Sequence, residues 1–158
     1  MTTKNCIFCQ IVTQEMPAHI IWESETHLAF LSIFPNTDGF TVVIPKKHYG
    51  SYAFVQENQV LSDLIIATKK VANILDNYFE DTTRTGMFFE GFDVDHLHSK
   101  LFPMHGTGDM KKWANVENKK MNKFFKLYPG YLSSNNSEKA DNQQLIILAQ
   151  KIRKSYQD

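Results

Sequence analysis

Two residue patterns in this 158-residue chain have the types and spacing for chemistry. One is Asp93-Val-Asp-His-Leu-His-Ser-Lys-Leu-Phe-Pro-Met-His105, in which His96, His98 and Lys100 alternate with Leu97, Ser99 and Leu101. On an extended chain that alternation puts two imidazoles and an ammonium on one face and the other three residues on the opposite face. Such a face suits an anion better than a hydrophobic core. A half-solvated strand with satisfied surface histidines is the competing reading of the same pattern. The other pattern is Cys6-Ile-Phe-Cys9, formed by the chain's two cysteines. Two intervening residues are too few for a useful structural staple, so the pair reads as metal-binding or redox-active in a reducing compartment.

The elements that must hold these residues can be read from periodicity. Cys6–Val12 suits a short helix, closed by Pro17. Ala18–Glu23 and Thr26–Ile33 are rich in β-branched and aromatic residues around a short polar turn, a hairpin signal. Pro35–Gly39 is a loop by its turn residues, and Phe40–Pro45 is a third strand cut off by its proline. His48 follows that strand end directly, where it either leans into a site at the sheet edge or belongs to a solvated basic turn. Between Asn58 and Phe79, Leu61, Leu64, Ile65, Ala67, Val71, Ile74, Leu75 and Tyr78 recur at spacings of three and four, which predicts one long amphipathic helix. Thr85–Glu90 reads as a fourth strand, Gly91 as a bend, and the His96 stretch as a fifth strand ended by Pro103. Three strands, a helix and two more strands suggest an antiparallel sheet with a helix against one face, an α+β arrangement. Trp113, Val116, Met121 and Phe124-Phe125 lie in a lysine-rich segment without a clear period, and Ser133–Ser137 is a loop. Ser137 is a candidate cap for a last helix through Ile152, whose run Leu145–Leu148 wraps too far around to face only solvent.

A chain of this length is expected to be one domain, burying about two-thirds of its unfolded surface. With 17 basic and 17 acidic residues, the charge balance does not suggest general binding to nucleic acid or a membrane surface. An anionic ligand would have to be held locally. The N-terminus lacks a continuous apolar stretch, and no apolar run approaches the roughly 18 residues of a membrane span. A soluble cytoplasmic chain is the expectation.

Three segments, Cys6-Ile-Phe-Cys9, Gly39-Phe-Thr-Val-Val-Ile-Pro-Lys-Lys-His48 and Gly91-Phe-Asp-Val-Asp-His-Leu-His98, occur in an order and at gaps that resemble the histidine triad (HIT) family of nucleotide hydrolases and transferases. The resemblance implies a HIT-like fold with a five-stranded antiparallel sheet, one long helix and a C-terminal helical segment. Residues 1–132 would form the HIT-like domain, and residues 133–158 a loop and helix belonging to it. It also implies a homodimer paired through the sheet edge and the long helix. The substrate would be a nucleotide, a nucleoside phosphoramidate or dinucleoside polyphosphate cleaved at its α-phosphorus.

On this resemblance His98 is the nucleophile, its tautomer set by a nearby backbone carbonyl, with Lys100 and His96 beside it. A neutral imidazole is a good nucleophile near pH 7, and a covalent intermediate divides one hard displacement into two easier ones. Ser32, Asn36, Asp93 and His48 are the implied nucleotide contacts. Cys6, Cys9, His48 and His96 are the implied ligands of a structural zinc ion; a metal-free packed pair and a redox pair are the alternatives for the cysteines.

Four positions depart from the family pattern. Lys100 replaces the third histidine: it can stabilise charge on phosphoryl oxygens but is a poorer proton shuttle, with a reference pKa of about 10.4. It therefore supports the reaction with another leaving-group preference, slows it, or marks a nucleotide-binding regulatory dimer with little turnover. His105 is a candidate for supplying the missing imidazole from beyond Pro103. Ser32 stands where many relatives carry an aspartate for the ribose, Asp93 where a small hydroxyl residue touches phosphate, and Phe92 where a polar amide is common. Phe92 is expected to be a core aromatic beside Phe88 or Phe89. A zinc-bound interaction module without a nucleotide site is the third function class.

Overall fold

The computed structural model describes residues 5–109, 111 and 137–156. The stretch containing Trp113, Val116, Met121, Phe124 and Phe125, most of the Ser133–Ser137 loop and the boundary expected at residue 132 lie outside the described residues. The elements in chain order are α1 (Ile7–Val12), β1 (His19–Glu23), β2 (His27–Leu31), β3 (Thr41–Pro45), α2 (Asn58–Tyr78), β4 (Thr85–Phe88), β5 (Ser99–Pro103) and α3 (Asn142–Ser155). The five strands form one antiparallel sheet in the order β1-β2-β3-β5-β4. Among the described residues, no helix is long and apolar enough to cross a membrane.

Both faces of the central strands are covered. The strand period of two sends Ala29, Leu31, Val43 and Leu101 to the side packed by α2 and α3, while Leu28, Phe30, Val42 and Ile44 face α1. This is why β2 and β3 read as unbroken apolar runs and are buried at every position. From α2, Leu64, Val71 and Leu75 are buried to 0% exposure, as the three-and-four spacing predicts. Helix α3 adds Leu145, Ala149 and Ile152 to the same core, and its Tyr156 hydroxyl donates to the Ile21 carbonyl at 2.8 Å.

Two boundaries differ from the sequence reading. The last helix starts at Asn142 and not near Ser137, because the Asp141 carboxylate caps it by accepting from the Gln144 amide at 2.9 Å. It also runs three residues beyond Ile152, to Ser155. The histidine stretch is not wholly strand: residues 93–96 form bends and β5 begins only at Ser99. Gly91 at φ +71° and Asp93 at φ +72° turn the chain before it can join the ladder. The alternation of side chains nevertheless persists through the bend. Leu97 and Leu101 join the core under α2, while His96, His98 and Lys100 turn to the α1 side.

One polar contact locks this segment to the long helix. Thr68 donates its only hydroxyl proton to the Leu64 carbonyl at 2.7 Å, so the 2.6 Å contact between Thr68 and Ser99 must have Ser99 as donor. Both residues are buried. Thr68→Val keeps the shape but strands the Ser99 hydroxyl, and is expected to lower stability by about 1–3 kcal/mol in denaturant unfolding. The companion Thr68→Val, Ser99→Ala variant should recover part of that loss.

Candidate functional site

Cys6 and Cys9 come together because Cys6 caps α1 and Cys9 lies one turn on; the Cys9 amide donates to the Cys6 sulfur at 3.5 Å. His48, just past β3, and His96, in the bend before β5, close on the same spot with ring centroids 5.1 Å apart. His96 Nδ1 is 3.4 Å from Cys6 Sγ and 3.6 Å from Cys9 Sγ, and His48 Nδ1 is 3.4 Å from Cys9 Sγ. Ligand atoms of the four residues all lie within 4.8 Å of one another.

These spacings match a tetrahedral site. Metal–sulfur bonds of about 2.3 Å and metal–nitrogen bonds of about 2.0–2.1 Å place sulfur and nitrogen roughly 3.6 Å apart around one ion. His96 is also in the right tautomer: its Nε2–H donates to the Pro45 carbonyl at 2.8 Å, so Nδ1 presents a lone pair to the thiols. Without a cation, Cys9 and His96 resist ionisation. Burial and the adjacent Cys6 push the Cys9 thiol up to about 11, and burial pulls His96 down to about 4. Cys6, Cys9, His48 and His96 can therefore hold a metal ion.

The second centre is His98. Its Nδ1–H donates to the His96 carbonyl at 2.7 Å, and because a carbonyl only accepts, Nε2 is left as the basic nitrogen. That Nε2 is buried and has no hydrogen-bond partner among the described residues. Burial lowers the imidazole's pKa, against smaller opposing effects of the His96 carbonyl and Asp93, and keeps it neutral near pH 7. Phe8 packs edge-on against both His96 and His98, at 5.8 and 5.4 Å between centroids, and restrains both rings.

His98 and Lys100 line a cavity of about 210 Å³ whose walls are largely apolar, with Ile7, Phe8 and Phe30 among them. Of the four expected nucleotide contacts, Ser32 and Asp93 line it. Ser32 is buried, and its oxygen accepts from the Phe34 amide at 3.1 Å. Asn36 is exposed in the β2–β3 loop, and His48 turns into the cysteine cluster; neither is a lining residue. Phe92 is not a core aromatic. It is 50% exposed and lines the cavity, because the left-handed turns at Gly91 and Asp93 carry it away from the sheet.

His105 does not supply a third imidazole. Its Nδ1 is 2.9 Å from an Asp81 oxygen, its Nε2 donates to the Asp38 carbonyl at 3.1 Å, and its ring lies against Phe79. Hydrogen bonds to the Asp81 carboxylate and the Asp38 carbonyl outweigh partial burial and raise its pKa. Both nitrogens are thus engaged away from His98.

One residue escaped the sequence reading. Glu90 forms an ion pair with Lys100, and both side chains are buried. Phe88 pairs with Lys100 across β4 and β5, so Glu90, two residues on, lies on the same face and diagonal to the lysine. An acid closing the apolar run Thr85–Phe89 opposite a lysine-bearing strand was the available signal; only the register converts it into a contact.

A family model described as the HIT domain matches residues 13–107. The chain is 33% identical over 131 residues to an uncharacterised HIT-like protein of Methanocaldococcus jannaschii, the match covering 79% of this chain and 99% of that one. It is 32% identical over 100 residues to an adenosine 5'-monophosphoramidase of Saccharomyces cerevisiae, covering 62% and 61% of the two chains. Its fold resembles that of a zinc-bound histidine triad family protein of Mycobacterium smegmatis, with TM-score 0.70, 19% identity, and coverage of 98% of this chain and 94% of that one.

Proposed function

Because the chain belongs to the HIT family, we propose that it is a nucleotide hydrolase or nucleotidyl transferase acting through a covalent nucleotidyl-His98 intermediate. The substrate is a nucleoside phosphoramidate or a dinucleoside polyphosphate. The observation that carries this reading is the buried, unpartnered Nε2 of His98, held as the basic nitrogen by the His96 carbonyl. The similarity to a yeast adenosine 5'-monophosphoramidase supports the reaction class.

In the first step His98 Nε2 bonds to the α-phosphorus as the bond from phosphorus to the amine or phosphate leaving group breaks; the leaving group departs with the electron pair. Lys100 stabilises the charge that develops on the phosphoryl oxygens. In the second step water attacks phosphorus, the phosphorus–nitrogen bond breaks, and nucleoside monophosphate leaves with His98 restored. The same intermediate passes the nucleotide to another acceptor in a transferase. Ser32 contributes a hydroxyl to the nucleotide, and Asp93 meets it at the cavity mouth, where its charge opposes a polyanionic leaving group.

Cys6, Cys9, His48 and His96 hold a zinc ion in this reading, supported by the spacing of their sulfur and nitrogen atoms. Four protein ligands close the coordination sphere, so zinc supplies structure and not a nucleophilic water. His96 then acts as a ligand that orients the chain before His98. The chain pairs as a homodimer through α2 and the edge strand β4, where Ile65, Ile66 and Met87 expose apolar surface. A second reading, a nucleotide-binding regulatory dimer with little turnover, rests on Lys100 at the third position of the motif, where a lysine is a poorer proton shuttle than a histidine.

Turnover of a fluorogenic adenosine phosphoramidate and of a dinucleoside polyphosphate is expected in the natural protein, and His98→Ala should lower kcat by about 10⁴-fold or more. An acid-labile, base-stable nucleotidyl adduct in the natural protein and not in His98→Ala would identify the intermediate. Nucleotide binding without turnover selects the regulatory reading instead. Metal analysis should find one zinc ion per chain, with a strong chelator lowering Tm; a metal-free protein indifferent to chelator refutes the zinc assignment. Sedimentation should show a dimer that Ile66→Asp converts to monomer.

A further inference from the structure

We propose that Glu90 is a positioning residue whose buried carboxylate keeps Lys100 charged and aimed into the phosphoryl site beside His98. This rests on the function proposed above and adds a residue to its site.

A histidine at the third position of the motif needs no counter-ion, because it can be buried neutral. A lysine can serve as a cation there only if its charge survives burial. Lys100 is 3% exposed, and its cavity neighbours from α1 and β3, Ile7, Phe8 and Val42, are apolar. The titratable groups lining the same cavity are His98 and Asp93, and Glu90 reaches the lysine from just past the end of β4. Burial pulls the Lys100 ammonium down to about 8, so its charge near neutral pH has little margin and loss of a facing carboxylate would erode it.

The Glu90 carboxylate works in the opposite direction. Contact with an opposite charge in a poorly solvated site favours the charged form of both partners. The carboxylate also limits the directions the flexible lysine stem can take. Glu90 and Lys100 thus act as one unit at this site.

The test is the pH dependence of kcat/KM for the fluorogenic adenosine phosphoramidate in the natural protein, Glu90→Gln, Lys100→Arg and the double variant. Glutamine keeps the shape and removes the charge. Glu90→Gln is expected to move the alkaline limb down by about one pH unit, giving about a tenfold loss at the alkaline end. In the Lys100→Arg background the same change should leave the limb in place, because a guanidinium keeps its proton above pH 12. An unchanged limb in Glu90→Gln, or an equal shift in the arginine background, overturns the proposal.

A second measurement does not depend on turnover. NMR titration of labelled lysine side chains, with Lys100→Arg assigning the resonance, should find that Lys100 loses its proton at a lower pH in Glu90→Gln than in the natural protein. A Lys100 that titrates at the same pH in both proteins also overturns it. Absence of turnover in the natural protein counts against the proposed reaction, while the titration still decides the role of Glu90.

Discussion

The hydrogen bond from His96 Nε2 to the Pro45 carbonyl is the contact on which the rest of the site depends. It joins the end of β3 to the bend before β5 and fixes which nitrogen of His96 carries the proton. The remaining nitrogen is thereby turned to Cys6 and Cys9, and the backbone carbonyl of the same residue receives the proton of His98 Nδ1. Two separate features, a cluster able to hold a metal ion and a basic imidazole nitrogen, are set by one buried ring and its own peptide group. A residue two positions from its neighbour on an extended chain can do this because the intervening Leu97 is anchored on the other side of the sheet.

That anchoring has an energetic role. Leu97 and Leu101 are almost completely buried under α2, and each such side chain contributes about 1.5–3 kcal/mol relative to exposure. Burial of His96, His98 and Lys100 on the opposite side is costly, since polar and charged groups lose their hydration. The segment tolerates this because the Pro45 and His96 carbonyls, the Glu90 carboxylate and the ring of Phe8 take the place of water. His98 Nε2 is the exception: it is buried without a hydrogen-bond partner among the described residues, on a side chain that lines the cavity.

The turns around Gly91 and Asp93 connect these energetics to the shape of the cavity. Both residues are in the left-handed region, where a non-glycine residue such as Asp93 is uncommon. The resulting bend releases Phe92 from the sheet and brings it and Asp93 to the cavity that contains His98 and Lys100. An apolar ring and a carboxylate at this mouth form a different entrance from one lined by amide and hydroxyl donors.

The sequence by itself determined the features governed by local backbone geometry. The three-and-four spacing of α2, the two-residue alternation of Leu97, Ser99 and Leu101 against His96, His98 and Lys100, and the one-turn spacing of Cys6 and Cys9 are properties of neighbouring residues on a regular chain. The resemblance of three short segments carried the fold and pointed to His98 and the cysteine cluster. Tertiary structure alone decided the contacts made across long separations. Glu90 meets Lys100 only through the β4–β5 register, and His105 is claimed by Asp81 and Asp38 on other loops. Phe92 leaves the core only because two left-handed residues bend the chain. A side chain's period is written in its neighbours, but its partner depends on which distant backbone the fold brings within about 3 Å, and short-range patterns do not encode that distance.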